Sequence, residues 1–282
     1  MSPQPKLSLQ GAVAVVTGAG GGIGSALALN LARRGCHLAL TDCKPDLLSQ
    51  SAAAARACGV TVSEHVFDIA DAAAIAAFPE AVKAQHGRTT VLVNNAGVAL
   101  AGSFEQVTLD EFEWLFNINF WGAVRMMKAF LPMLIAEPEA QIVNISSIFG
   151  LVGTPGQAAY AASKFAMRGV SESIRFELRS EGKHVGITVV HPAGVRTAIA
   201  RNTRISEGMP KEHVNVEAAE RLLTDPPEQT AELIVNALIH RKSRVLCGKL
   251  AILADLVQRI TPSHFDDVFR MALGGGRRKR PE

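Results

Sequence analysis

Seven short apolar runs rich in β-branched residues punctuate this 282-residue chain, at 12–17, 37–42, 61–67, 90–94, 141–146, 186–191 and 243–247, and a longer helical pattern separates each from the next. The first run is continuously apolar up to Thr17 and reads as a strand buried on both faces. Strands that alternate with helices in this way predict a parallel sheet with a helix in every crossover. The right-handed crossover rule then favours an α/β, doubly wound, seven-stranded parallel sheet with helices on both faces. No Pro/Gly/Ser-rich linker interrupts the pattern, so residues 1–282 read as a single domain. Residues 197–226 break the rhythm: they are polar and show no clear strand. A long irregular segment after the sixth strand reads as a substrate lid, or else as an idle insertion.

Composition narrows the function classes. With 48% apolar and 20% charged residues the chain has an ordinary globular balance. The net charge of +3 is too small to argue for nucleic acid. Part of the excess lies in Arg277-Arg278-Lys279-Arg280, within a tail (274–282) expected to be flexible. The four cysteines form no C-x-x-C pair, so no metal site is expected and a reducing compartment fits. The N-terminus has no apolar signal core and no run is long enough for a transmembrane helix, which reads as a cytoplasmic protein.

Between the first strand and the first helix stands Thr17-Gly18-Ala19-Gly20-Gly21-Gly22-Ile23-Gly24. Its spacing, G-x-x-x-G-x-G, differs from the G-x-G-x-x-G fingerprint, but the physics is shared. Gly18, Gly20, Gly22 and Gly24 permit a tight turn and close backbone approach, and the helix that opens at Ile23 offers free N–H groups to a pyrophosphate. Asp42 ends the second strand, where a carboxylate can accept hydrogen bonds from both ribose hydroxyls and repel a 2′-phosphate. NAD is therefore preferred, with NADP possible because Arg33 and Lys44 are close in sequence. The same carboxylate also suits a helix N-cap before Lys44-Pro45. Asp68 and Ile69 follow the third strand; Asp68 suits an adenine contact or a cap on the next helix. Asn94-Asn95-Ala96-Gly97 ends the fourth strand, and its amides suit bonds that fix the loop under the cofactor, though the tetrapeptide also makes an ordinary turn.

Tyr160 is the only tyrosine, and Lys164 lies four residues on. On a helix these two share a face, and a cation beside a phenol favours the phenolate. That predicts a lowered tyrosine pKa and a general acid/base for an alcohol oxygen. A half-buried core tyrosine with an incidental lysine is the plainer alternative.

Taken together and in order, Thr17 to Gly24, Asp42, Asp68, Asn94 to Gly97, Asn119 with Gly122, Ser147, Tyr160 with Lys164, and Pro192 to Thr197 closely resemble the short-chain dehydrogenase/reductase family, across about residues 10 to 200. The resemblance implies a Rossmann fold and an NAD(P)-dependent oxidoreductase. It makes Tyr160 the proton donor and acceptor, Lys164 the group that lowers its pKa and holds the nicotinamide ribose, and Ser147 the hydrogen-bond partner of the substrate oxygen. Asn119, inside a helical stretch 104–135, would anchor a water that links Lys164 to solvent. Ser147 is chosen over Ser146 on spacing. The cofactor would also meet Asn95, Ala96, Gly97, Pro192, Gly194, Val195 and Thr197. One departure stands out: Ala193 takes the place of the glycine usual after that proline, and Gly194 follows one position later, so the loop is expected to be shifted.

On the family's layout the substrate pocket is apolar, with Val98, Leu100, Phe149, Val152, Ile199 and Met209 beside Ser147 and Tyr160. The expected substrate is a bulky hydrophobic secondary alcohol or ketone. The family also implies a homodimer or homotetramer, built partly by the helices near 111–134 and 158–179. Two other readings compete: an NADPH-dependent carbonyl or 3-oxoacyl reductase, and a non-catalytic NAD-sensing regulatory protein on the same fold.

Overall fold

The computed structural model describes residues 6–209, 221, 223–265, 267 and 268. Seven strands, β1 (Val13–Thr17), β2 (His37–Asp42), β3 (Val62–Val66), β4 (Val91–Asn94), β6 (Ala140–Ile145), β7 (Val185–Pro192) and β9 (Arg244–Cys247), make one sheet in the order β3-β2-β1-β4-β6-β7-β9. Every neighbouring pair in it is parallel. A separate two-stranded piece joins β5 (Leu100–Ala101) to β8 (Arg204–Ile205). The described helices are α1 (Gly22–Ala32), α2 (Pro45–Arg56), α3 (Ala72–His86), α4 (Leu109–Phe116), α5 (Ala123–Ala136), α6 (Ala158–Ser180), α7 (Pro227–Ile239) and α8 (Lys249–Ile260).

Successive strand residues serve opposite layers, which is why both must be apolar. Ala14, Val16, Val93 and Val190 pack with Leu27, Leu31, Leu48, Ile234 and Leu238 from α1, α2 and α7. Val15, Leu92, Ile142 and Ile187 pack with Ile75, Phe78, Met126, Phe130 and Leu178 from α3, α5 and α6. Each fully buried leucine or isoleucine contributes about 1.5–3 kcal/mol. The chain runs one way from β1 to β3 and the other way from β4 to β9. A crevice therefore opens at the carboxyl ends of β1 and β4, the switch point where open α/β sheets bind ligands.

Two expectations are corrected. Residues 104–135 are not one helix: turns run to Thr108, α4 follows, and Asn117–Gly122 form a wide π-helical turn before α5. Residues 197–226 do contain a strand, β8, because its two residues find partners in β5 (Leu100 with Arg204, Ala101 with Ile205). So short a strand leaves no periodic trace in the sequence. Residues 210–220 and 222 of that segment, and the basic tail 274–282, lie outside the described residues.

Candidate active site

The loop after β1 needs its glycines. Gly18 and Gly22 have φ of 64° and 55°, in the left-handed region. A Cβ on Gly24 would lie 2.0 Å from the Gly18 carbonyl oxygen, and one on Gly20 would lie 2.9 Å from the Asp42 carboxyl carbon. Gly21 caps α1 without a side-chain bond, and the first turn carries no acidic residue. That leaves a helix N-terminus with its dipole open to an anion.

Asp42 braces this turn: Oδ2 accepts from the Gly20 amide (2.9 Å) and Oδ1 from the Lys44 amide (3.0 Å). Lys44, not Asp42, occupies the cap position of α2. Asp68 does not cap α3 either. Its Oδ1 accepts from Ala70, whereas Asp71 accepts from Ala73 and Ala74 at the helix start. Ile69 is buried where Gly122 passes, so close that a Cβ there would sit 2.9 Å from its Cγ1.

After β4, Asn95 Nδ2 donates to the carbonyls of Thr17 and Gly18, both at 3.0 Å. The Thr17 hydroxyl accepts from the amides of Asn95 and Ala96, also at 3.0 Å. The two loops flanking the crevice are thereby tied edge to edge. Thr17 was not singled out for this role by sequence; its place ahead of the glycines was the available signal.

Tyr160 and Lys164 do share a face of α6, and the Lys164 Nζ lies 5.5 Å from the phenol ring centre. Both side chains are buried, at 8% and 4% exposure. Nζ donates to the Ile145 carbonyl at 3.1 Å. Ser147 follows β6, hydrogen-bonds Tyr160 and accepts from the Phe149 amide at 3.2 Å. Ser146 turns the other way and donates to the Lys164 carbonyl at 2.9 Å, so alternation along the strand end separates the two serines. His191 donates from Nδ1 to the Ser147 carbonyl at 2.9 Å. A carbonyl only accepts, so Nδ1 carries the proton. Nε2 is buried with no partner among the described residues. Burial pushes this ring down to about 4, so it is neutral.

The expected lowering of the Tyr160 pKa is not found in the cofactor-free chain. Burial raises the phenol above its ordinary value, and the Ser147 hydrogen bond only partly opposes this. Burial also pushes Lys164 down to about 8. A fully enclosed pair favours the neutral form of each partner.

Asn119 sits in the π-helical turn, and its side chain is fully engaged. Oδ1 accepts from the Val98 amide (2.8 Å), while Nδ2 donates to the Val98 carbonyl (2.9 Å) and to Ser163 Oγ (3.3 Å). The side chain thereby ties the π-helical turn to the backbone of the β4 loop. A Cβ on Gly97 would lie 3.2 Å from Asn119 Oδ1 and 3.4 Å from Lys164 Nζ, so the glycine keeps room between them.

Of the expected pocket residues, Val98, Leu100 and Phe149 share a cluster with Tyr160. Phe149 meets the phenol edge-on, 5.9 Å between ring centres. Val152, beyond the single turn Ile148–Gly150, lies in a second apolar cluster with Leu151, Ala254, Leu246 and Phe265. Ile199 and Met209 are half-buried, and Met209 donates its amide to Ser206. After Pro192 the Ala193 substitution is absorbed locally. Ala193 donates to Cys247, the positive φ of 69° falls on Gly194, and Val195 bridges to Asp225. The Thr197 methyl still faces the glycine turn, 3.0 Å from where a Gly22 Cβ would stand.

The crevice therefore offers an anion-binding helix end, a carboxylate beside it, glycine-lined space reaching Lys164, and a buried tyrosine. These features fit an extended dinucleotide. The described residues hold no cluster of three or more metal-binding side chains. None of the described helices is long and apolar enough to cross a membrane.

Residues 12–208 match the family model for short chain dehydrogenases. The chain belongs to the short-chain dehydrogenase family. Within this family of oxidoreductases it is 41% identical over 258 residues to SadH of Mycobacterium tuberculosis, a protein named as an oxidoreductase, covering 92% of this chain and 94% of that one. A short-chain dehydrogenase/reductase from Burkholderia phymatum, solved in complex with NAD, superposes with a TM-score of 0.81 at 26% identity over 98% of this chain and 99% of that one. An alcohol dehydrogenase from Thermococcus sibiricus, complexed with 5-hydroxy-NADP, gives a TM-score of 0.70 at 27% identity over 83% and 95%.

Proposed function

We propose that this family member is an NAD-dependent oxidoreductase that interconverts a bulky, hydrophobic secondary alcohol and its ketone. The observation that carries the reading is the enclosed group Ser147, Tyr160 and Lys164 at the mouth of a glycine-lined crevice that also holds Asp42. NAD, when bound, supplies the hydride chemistry. Gly18 to Gly24 and the start of α1 hold its pyrophosphate, Asp42 and Lys164 its two riboses, and Thr197 its nicotinamide end. Ser147 Oγ hydrogen-bonds the substrate oxygen and stabilises charge developing there. Tyr160 Oη, as the phenolate that a bound cationic nicotinamide would favour, takes the hydroxyl proton in oxidation and, as the phenol, returns it in reduction. The charged Lys164 ammonium favours the phenolate, and Asn119 keeps the Val98 loop and the π-helical turn in register around it.

Val98, Leu100 and Phe149 line the substrate side, with Ile199 and Met209 at its rim. Exposed Trp121 on the π-helical turn and exposed Phe165 and Phe176 on α6 support homo-oligomer formation through these helices. The deciding experiment is oxidation of secondary alcohols of increasing bulk with NAD and NADP in parallel. We expect NAD to be favoured by about tenfold or more in kcat/KM, since a 2′-phosphate would meet the Asp42 carboxylate. Equal use of both cofactors would overturn the role given to Asp42, and NAD binding without any turnover would favour a sensing protein instead.

A further inference from the structure

Glu111 is the one carboxylate among the described residues that is buried, at 2% exposure. Part of its task is local. With Thr108 it forms a capping box on α4, in which the Thr108 hydroxyl accepts from the Glu111 amide (3.2 Å) and Glu111 Oε2 accepts from the Thr108 amide (3.1 Å). A capping box needs one oxygen of the glutamate and is usually solvated. Here the carboxylate does more. Oε2 also meets the Ser206 hydroxyl at 2.8 Å, and Oε1 accepts from the Glu207 amide at 3.2 Å and faces Arg204 Nε at 3.5 Å. The Ser206 hydroxyl lies equally near the Gln106 carbonyl (2.8 Å), so its single proton is shared between two acceptors on the α4 side. The Arg204 guanidinium also lies over the Trp114 ring, 5.0 Å from its centre.

These bonds hold a strand too short to hold itself. β8 and β5 pair over two residues each, flanked by bonds from the Arg204 amide to Ala99 (3.0 Å) and from the Ser206 amide to Ala101 (2.9 Å). An isolated two-stranded pair is marginal in water even when longer. Yet β5 carries Leu100, which packs in the same cluster as Tyr160, and Val98 just before it is gripped by Asn119. The helical segment from Glu111 to Asn119 thus holds the 98–101 stretch at both ends, directly through Asn119 and through β8 by way of Glu111. Burial would push the Glu111 carboxyl up; the Ser206 hydroxyl, the Thr108 and Glu207 amides and the Arg204 charge together hold it below its ordinary value. A buried anion is tolerated where its donors converge in this way.

We propose that Glu111 is a positioning residue: its buried carboxylate locks residues 204–207 against Leu100–Ala101, fixes the pocket wall beside Tyr160, and so sets which substrate sizes the enzyme uses well. This deepens the oxidoreductase reading and rests on it. The test compares Glu111→Gln, which turns an amide N–H toward donors, with Ser206→Ala and with Thr108→Ala, which removes only the cap. In the full-length protein, hydrogen exchange at the amides of Arg204 and Ser206 should accelerate in the first two variants and not in Thr108→Ala. KM for the bulkiest alcohols turned over should rise about tenfold, with kcat and NAD affinity within about twofold of wild type. Unchanged exchange at both amides would overturn the lock. Accelerated exchange with KM unchanged, or a KM shift shared by Thr108→Ala, would overturn the specificity role and leave Glu111 a helix cap. A wild-type protein that turns over no alcohol or ketone would instead take down the oxidoreductase reading and the specificity role with it, while the exchange rates still judge the lock.

Discussion

A lysine lowers a neighbouring phenol only in so far as it is charged and the surroundings tolerate charge. At Tyr160 and Lys164 burial works against both ions, pushing the phenol up and the ammonium down to about 8. In the cofactor-free protein we therefore expect no phenolate absorbance below the ordinary tyrosine value of about 10. Tyr160 is the sole tyrosine, so the ultraviolet titration belongs to it alone. Saturation with NAD, whose nicotinamide ring is cationic, should bring the transition down; a transition indifferent to NAD would count heavily against the mechanism. Tyr160→Phe should lower turnover by about 10²–10⁴-fold, the usual worth of a positioned acid/base, with NAD affinity retained in a direct binding titration. Lys164 has a stability signature as well. Its folded pKa is about 8 against 10.5 when exposed, so the penalty of burying its charge is fully present below pH 8 and fades as pH rises from 8 to 10.5. Lys164→Met should then stabilise the protein at pH 7 by up to about 3 kcal/mol, less whatever is lost with the bond to Ile145. Thermal melting checks this, and a lower melting temperature would contradict it. Activity bought at the expense of stability is the pattern expected of a functional site.

Elements differ in how plainly a sequence announces them. The seven main strands are legible because strands covered on both faces are mostly apolar and alternate with helical patterns, and their helices because the crossovers leave them no other place. The glycine turn, Asp42, Ser147, Tyr160 and Lys164 are legible because their spacing ties them to strand ends and one helix face. The π-helical turn Asn117–Gly122 is not. A single widened turn has no period of its own, and the partner that requires it, Val98, lies 21 residues away from Asn119. The pairing of β5 with β8 is hidden for the same reason. The π-helical turn is testable as an element. A methyl at Gly122 would stand 2.9 Å from the Ile69 carbonyl oxygen and Cγ1. Gly122→Ala should cost about 1–3 kcal/mol by overpacking, despite alanine's better helix propensity. Denaturant melts would reveal it; a stabilised Gly122→Ala protein would mean that the segment relaxes into an ordinary α-helix without harm.

Across the whole molecule, three histidines make folding sensitive to acid, and they sit far apart along the sheet. Near the β3 edge, Ser63 Oγ lies 2.8 Å from Nε2 of both His65 and His86. Burial lowers both rings, with a smaller push on His65 from His86 and on His86 from His37. Towards the other side, burial pushes His191 on β7 down to about 4, and its ring holds the Ser147 carbonyl. A histidine with a depressed folded pKa leaves the unfolded chain binding more protons, so stability falls as pH drops below about 6.5 and, for His191, continues to fall to about 4. His191 alone accounts for up to about 3 kcal/mol of that loss. Glu111, Glu64, Glu232 and Asp255, all held below their ordinary values by hydrogen bonds and cations, contribute losses at lower pH. The two windows can be separated. His191→Asn keeps an N–H for the Ser147 carbonyl but cannot titrate, so its urea midpoint should fall less between pH 6.5 and 4 than that of wild type. The slope below that range should be common to both proteins. Parallel curves through the upper window would mean that His191 takes up a proton as readily in the folded as in the unfolded chain, and would remove the link between acid stability and the strand end that carries Ser147.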